Sequence, residues 1–317
     1  MPVSTSYVCG VERSILGQPW RWRGTAGDSE FQPDALVDQL LLARGVAREE
    51  LERHRAPTLR GFMPDPAIFR DMEKAAARLA DAVEAGERVT IFGDYDVDGA
   101  TSAALLIRLL RQLGLEAAAY IPDRLMEGYG PSGEALVRIA EGGASLIVTV
   151  DCGAQAFEAL AMAKAAGIDV IVCDHHKCAS ALPDGFAIVN PNRLDEADEA
   201  AAHGHLAAVG VAFLLGASLL RVLRGRGFFA GREEPKLIEL LDLVALGTVA
   251  DVAQLKGLNR ASAFLRTVLA QRMRSRTVPS LRFEHDSSVE RGIRLTRLIE
   301  SAVGQSSSDD PSSSRNG

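Results

Sequence analysis

The stretch VTIFGDYDVDGATSAALLIRLLRQLG, residues 89–114, holds two different periodicities separated by an acidic turn. Val89–Phe92 is a β-rich run that ends at Gly93-Asp94. Beyond the turn, Leu105, Leu106, Leu109, Leu110 and Leu113 fall on one stripe at helical spacing, and Gly114 stands where a helix closes on a left-handed residue. The alternation then repeats. Leu115–Ile121 reads as a strand stopped by Pro122, Ser132–Glu141 as a helix and Ser145–Val150 as a strand. Gln155–Ala166 reads as a helix ending at Gly167, and Asp169–Cys173 as a further strand. Continuous apolar strands separated by helices define an α/β fold, a parallel sheet with helices on both faces.

After Asp174 the pattern changes to one short run, Ala187–Val189, and then a mostly helical section over Leu206–Arg224 and Pro235–Ala250. Residues 1–56, with Trp20, Trp22, Gly24 and a helical stretch over Asp34–Ala43, read as an extension that packs on the catalytic part. From Arg260 to Arg297 there are nine arginines and no lysine, and the last residues, from Gln305, contain no apolar side chain. That tail is expected to be disordered.

Composition excludes little. No signal-like apolar segment opens the chain, and no run of about 18 apolar residues suits a membrane span. The cysteines at 9, 152, 173 and 178 lack C-x-x-C spacing and read as free thiols of a reducing, cytoplasmic compartment. A formal net charge of -7 speaks weakly against nucleic acid. Bound divalent ions would reverse the local field of an acidic site, so the total does not decide.

Four motifs carry the chemistry. In Gly93-Asp-Tyr-Asp-Val-Asp-Gly99, carboxylates at Asp94, Asp96 and Asp98 can converge on a hard cation. An EF-hand would require a bidentate Glu where Leu105 stands and a helix where a strand precedes, so calcium is disfavoured. An acidic turn remains the plain alternative. Asp151, in Thr149–Gly153, ends another apolar run; alone it could be a helix cap. Asp174-His175-His176 ends a third, and Asp251 closes the apolar stretch from Leu246. In open parallel sheets ligands bind beyond the carboxyl ends of the strands, and Asp94, Asp96, Asp98, Asp151, Asp174, His175 and His176 all follow strands. Carboxylates mixed with imidazole suit Mn²⁺ or Mg²⁺, and two ions are the arrangement used in phosphoryl chemistry.

At these residues the sequence resembles the DHH phosphoesterase superfamily, and within it the RecJ-like single-strand-specific DNA exonucleases. The resemblance runs from Pro57 to Arg260 and includes GFMPDP, FGDYDVDGATSAALL, YIPDRLMEGYGPS, VTVDCGA, VCDHHK, LAAVGVAF and LDLVALGTVADVAQLKGLNR. It implies Asp96 and Asp98 as paired metal ligands, Asp151 as the bridging ligand, and His175 and Asp251 as further ligands. Asp94 would be a supporting carboxylate, Asp174 a group orienting an imidazole, and His176 a contact to the scissile phosphate. Some superfamily members have histidine where this chain has Phe92. The resemblance further implies 5′-to-3′ hydrolysis of single-stranded DNA to mononucleotides in repair and recombination. Arg124, Tyr129 and Lys177, near the motif loops, are candidate substrate contacts, and the plain reading of each is an ordinary polar residue facing water. A single-strand-binding protein or a helicase are the implied protein partners, and no membrane.

The family's connecting helix and Gly-Gly-His domain have no counterpart here. With the Arg/Ser-rich segment 261–317, this suggests a reading frame shifted near residue 260, and weak cleavage of short oligonucleotides. Two rival functions remain: a DHH-type pyrophosphatase or short-oligonucleotide phosphodiesterase, and a non-catalytic replication scaffold.

Overall fold

The computed structural model describes residues 12–14, 17–19, 33–43, 45–55, 58–123, 127–254 and 257–260. They lie in the first of the two units into which the chain divides, Met1–Arg274. The expectations for Trp20, Trp22, Gly24, Arg124, the arginine-rich segment and the polar tail fall outside the described residues.

Five strands form one sheet: β1 (Val89–Gly93), β2 (Ala117–Tyr120), β3 (Leu146–Val150), β4 (Asp169–Cys173) and β5 (Ala187–Val189). All pairings are parallel and the order is β2-β1-β3-β4-β5. The chain leaves β1 in one direction to form β2 and returns on the other side to form β3. This makes the carboxyl ends of β1 and β3 a topological switch point, where such sheets bind ligands.

The helices are α1 (Pro33–Ala43), α2 (Leu51–Arg55), α3 (Leu59–Phe62), α4 (Met72–Ala85), α5 (Val97–Gln112), α6 (Gly133–Glu141), α7 (Phe157–Ala165), α8 (Asp198–Ala201), α9 (Ala208–Gly225), α10 (Leu241–Ala250) and α11 (Gly257–Arg260). Alternation along the strands divides the core in two. Val89, Ile91, Leu146, Val148, Val150, Ile171, Cys173 and Val189 face a large cluster built with α4, α5, α9 and α10. Phe92, Ile147, Val170, Val172 and Ile188 face a smaller one with Leu136 of α6 and Leu160 of α7. Helices therefore cover both faces, as the continuous apolar runs require.

Local boundaries follow from identifiable residues. Ser132 caps α6 through Ala135 N–H (3.2 Å), and Gly114 takes φ 86° just past α5. The second strand is shorter than its apolar run, spanning Ala117–Tyr120 instead of Leu115–Ile121, because β2 is an edge with a single partner. The Pro235–Ala250 stretch divides into a 3₁₀ turn at Leu237–Leu240 and then α10. By length and composition α9 could cross a membrane. Most of its residues from Ala208 to Leu223 are buried, and it packs against α4 and α5, with Arg221 exposed. Where α9 meets α5, a Cβ on Gly216 would come within 2.9 Å of Leu109 Cδ2. Cys152 and Cys173 are buried free thiols and Cys178 is half-buried.

Leu109 is fully buried at that crossing. Leu109→Ala is expected to cost about 2–5 kcal/mol, read as a lower urea midpoint at unchanged slope.

Candidate metal centre

Strand register builds the site. Gly93 pairs with Val150, Val150 with Cys173 and Cys173 with Val189. The ladder runs one residue further. Asp94 N–H donates to Val150 O (3.2 Å), Asp151 N–H to Cys173 O (3.1 Å) and Asp174 N–H to Val189 O (3.1 Å). Three carboxylates thus leave the sheet side by side, and all three are buried. Asp151 does so at φ 61°, in the left-handed region that L-residues other than Asn and Asp avoid.

The acidic turn supplies two more. Asp96 caps α5, accepting from Gly99 N–H at 2.9 Å. Gly99 must be glycine, since a Cβ there would stand 2.5–2.8 Å from the Asp94 backbone. Asp98, 1% exposed, accepts from Ala208 N–H (2.7 Å) and Val209 N–H (2.9 Å). These are free amides at the start of the 18-residue α9, whose positive end favours an anion. Helix α10 crosses α5 so closely that a Cβ on Gly247 would lie 2.8 Å from Asp98 Oδ1. This approach brings Asp251, the C-cap of α10, to the same cleft.

Both histidines are held by one nitrogen. His175 Nδ1–H donates to Leu206 O (3.0 Å), leaving Nε2 3.2 Å from Asp151 Oδ1 and 3.9 Å from Asp98 Oδ2. His176 Nδ1 lies 2.8 Å from Asp174 Oδ1. Asp174 also accepts from the N–H groups of Ala154 (2.9 Å), His175 (2.7 Å) and His176 (3.1 Å). Burial would push its carboxyl up, but the His176 imidazole and these donors hold it below the usual range.

The remaining acids are strained by one another. Burial pushes Asp98 up to about 6, against the pull of Val209 N–H and His175. Burial and the charges of Asp98 and Asp96 push Asp151 up, and burial also raises Asp251. Burial alone would lower His175; the Asp151 bond and the charges of Asp98 and Asp251 outweigh it and raise its pKa. Among the described residues, the only ion-pair partners of Asp98, Asp151 and Asp251 are His175 and His176. Buried carboxylates without a permanent cation fit divalent metal.

Three donor groups are close enough for this, each with its ligand atoms within 4.8 Å of one another: Asp94, Asp96 and Asp151; Asp98, His175 and Asp251; and Asp151, His175 and His176. Asp151 and His175 each belong to two of them, and of the two Asp151 has a pair of carboxylate oxygens to share. Asp94, expected as a supporting carboxylate, offers an oxygen to the first of these groups.

The three substrate candidates fare differently. Arg124 lies outside the described residues. Tyr129 is 59% exposed, with its ring edge-on to His176 at 6.2 Å. Partial desolvation and the charges of Asp174 and Asp94 raise its pKa, so it stays a protonated donor. Lys177 is exposed and its carbonyl accepts from Gln155 Nε2 at 2.9 Å. Phe92 is fully buried and stacks on Tyr120 at 5.2 Å, a packing role on the smaller core. Sequence reasoning missed the α9 amides, the Leu206 carbonyl and Gly247. Each acts through a contact distant in sequence; the glycine inside an apolar helix was the one visible signal.

The DHH family N-terminal domain matches residues 88–248. This is just over half of the chain, and the chain belongs to the DHH family. It is similar to the single-stranded-DNA-specific exonuclease RecJ of Salmonella typhimurium, 43% identical over 229 residues that make up 71% of this chain and 38% of that protein. The Bacillus subtilis RecJ is 40% identical over 230 residues, 73% of this chain and 27% of that protein. The chain therefore spans well under half the length of these relatives. RecJ from Thermus thermophilus, solved in complex with Mn²⁺, superposes at TM-score 0.56 with 33% identity, covering 74% of this chain and 30% of that one. A second RecJ structure bound to manganese gives TM-score 0.54 at 38% identity, covering 64% of this chain and 48% of that one.

Residues 243–299 match a second family, ribosome-binding factor A. That factor from Nitrosomonas eutropha is 54% identical over 50 residues, 16% of this chain and 43% of that protein. The match corrects the expectation of a shifted reading frame. Out-of-frame translation yields no protein-family likeness, whereas this segment carries one.

Protons and metal compete for the same oxygens, which fixes the sign of the pH dependence. Asp98 is raised from 3.8 to about 6, so its contribution to metal-free stability is full below 3.8 and lost as pH rises through about 6. The raised His175 acts in the same direction above its ordinary 6.5. In EDTA the thermal midpoint should fall as pH rises from 5 to 8, while Mn²⁺ affinity should rise with proton release. Calorimetry in two buffers of different ionisation enthalpy checks this; affinity independent of pH would contradict it.

Proposed function

We propose that the chain is a divalent-metal-dependent phosphodiesterase that hydrolyses single-stranded DNA from the 5′ end to mononucleotides, with residues 57–260 as its catalytic domain. The convergence of one all-carboxylate and two carboxylate–imidazole donor groups at the strand-end rim carries this reading. Similarity to single-stranded-DNA-specific exonucleases supports the choice of substrate.

Asp94, Asp96 and Asp151 would hold one ion and Asp98, His175 and Asp251 the other, with Asp151 shared. When bound, Mn²⁺ or Mg²⁺ supplies Lewis acidity and a water of lowered pKa. The remaining work falls to the chain. The α9 amides hold Asp98 in one orientation, and Leu206 O fixes the tautomer of His175 so that Nε2 faces the carboxylates. The bond to Asp174 raises the pKa of His176 and turns its Nε2 away from that carboxylate. His176 is thereby set to donate a hydrogen bond or a proton to a phosphate oxygen. Tyr129 offers an exposed ring beside it, suited to stacking on a base. Such a substrate brings contact with a single-strand-binding protein or a helicase in the cytoplasm.

The likeness of residues 243–299 to ribosome-binding factor A favours a second role for that segment, contact with the ribosome. Co-sedimentation of the full chain with ribosomes tests it, and a chain left in the supernatant would rule it out.

Asp98→Ala and His175→Ala should each lower Mn²⁺-dependent release of mononucleotides from 5′-labelled single strands by more than about 100-fold, beyond the usual effect of outer contacts. His176→Gln should lower kcat while leaving Mn²⁺ binding near wild type. Preferential hydrolysis of pyrophosphate over single-stranded DNA would redirect the reading to a pyrophosphatase. Residual activity unchanged in Asp98→Ala would assign it to a contaminant.

A further inference from the structure

Three strands end in a carboxylate, at Asp94, Asp151 and Asp174. The fifth ends in an amide, Asn190, 1% exposed. Its Nδ2 donates to His176 O (2.8 Å) and contacts Cys178 Sγ (3.3 Å). Its Oδ1 accepts from Asn192 N–H at 2.8 Å. Asn192 then donates through Nδ2 to His175 O (2.5 Å) and to Gly204 O (3.1 Å). One asparagine thus grips the main-chain carbonyl of each motif histidine, and the bond from Asn192 N–H to Asn190 Oδ1 couples the two.

We infer that Asn190 and Asn192 are positioning residues for the metal centre, fixing the main chain of the Asp174–His176 loop so that both imidazoles project toward Asp151. Neither touches the cleft chemistry directly. Asp174 holds the amide side of the loop, through the N–H groups of His175 and His176. The two asparagines hold the carbonyl side. With both sides fixed, the peptide between the histidines has no freedom to rotate, and a rotation there would swing the imidazole rings away from the acids. Asn192 has a second reach. By holding Gly204 O it anchors the loop that carries Leu206, whose carbonyl orients His175 Nδ1. Space is tight at this anchor, since a Cβ on Gly204 would collide with Asn192 Oδ1.

Donation is the property needed. Aspartate has the same shape but no N–H, and would set an anion against a carbonyl oxygen. Serine is smaller and keeps one donor.

The inference rests on the metal-site reading above, so the readout is binding of Mn²⁺ alone, by calorimetry, without substrate. Asn190→Asp and Asn192→Asp should weaken Mn²⁺ binding by about 10–100-fold, the range for outer contacts of metal ligands, with the thermal midpoint in EDTA within a few degrees of wild type. Asn190→Ser and Asn192→Ser should recover part of the loss. KM for single-stranded DNA at saturating Mn²⁺ should stay within about two-fold. Wild-type protein that takes up no Mn²⁺ overturns the metal-site reading and this inference with it. Wild type that binds, alongside Asp variants that bind equally well, overturns the inference alone. Failure of both Asp and Ser variants to fold assigns the amides a structural role only and also overturns it.

Discussion

Hydrogen bonding between parallel strands places every other part of the centre. Because the ladder continues one residue beyond β1, β3 and β4, the amides of Asp94, Asp151 and Asp174 are fixed against the neighbouring strand's last carbonyl. Their side chains then have no freedom to spread apart. A slip of one residue in any pairing would turn the carboxylate to the opposite face and bring an apolar side chain to the rim. The two-sided core prevents such a slip, since each strand buries one row against α4, α5, α9 and α10 and the other against α6 and α7.

Fixing like charges together carries an energetic penalty, and the structure shows how it is relieved. Asp174 is fully satisfied by amides and His176. Asp98 is partly satisfied by the start of α9. Asp151 has, among the described residues, only His175 at 3.2 Å and the more distant His176 at 3.9 Å to lean on, and burial with the charges of Asp98 and Asp96 favours its protonated form. The gradient runs from the most supported acid to the least, and the least supported is the one shared between donor groups. Cation binding and loss of protons are one event in such a cluster.

Much of this was legible in the sequence because the α/β alternation is strongly periodic. The limits of β4 and β5 match their apolar runs residue for residue, and the leucine stripe of α5 with Gly114 marked both the buried face and the end of that helix. The candidate ligands were legible because each follows a strand, so topology alone gathers them. What stayed hidden depends on distance in sequence. Asp98 meets Ala208 and Val209, and His175 meets Leu206, across stretches that no local pattern spans. Asn190-Pro191 read only as the end of a strand, since its amide acts on carbonyls 14 residues earlier. The likeness of residues 243–299 to a different family begins inside an apolar helix, where composition gives no sign of a change.

The left-handed backbone at Asp151 has an evolutionary corollary. Glycine and asparagine suit that conformation at least as well as aspartate, and either would remove a charge from a crowded acidic cluster. Drift at this position can therefore discard the shared carboxylate while easing backbone strain and repulsion together. Against that relief stands the 3.2 Å contact of Asp151 Oδ1 with His175 Nε2, so what favours aspartate here is that contact together with whatever the carboxylate binds.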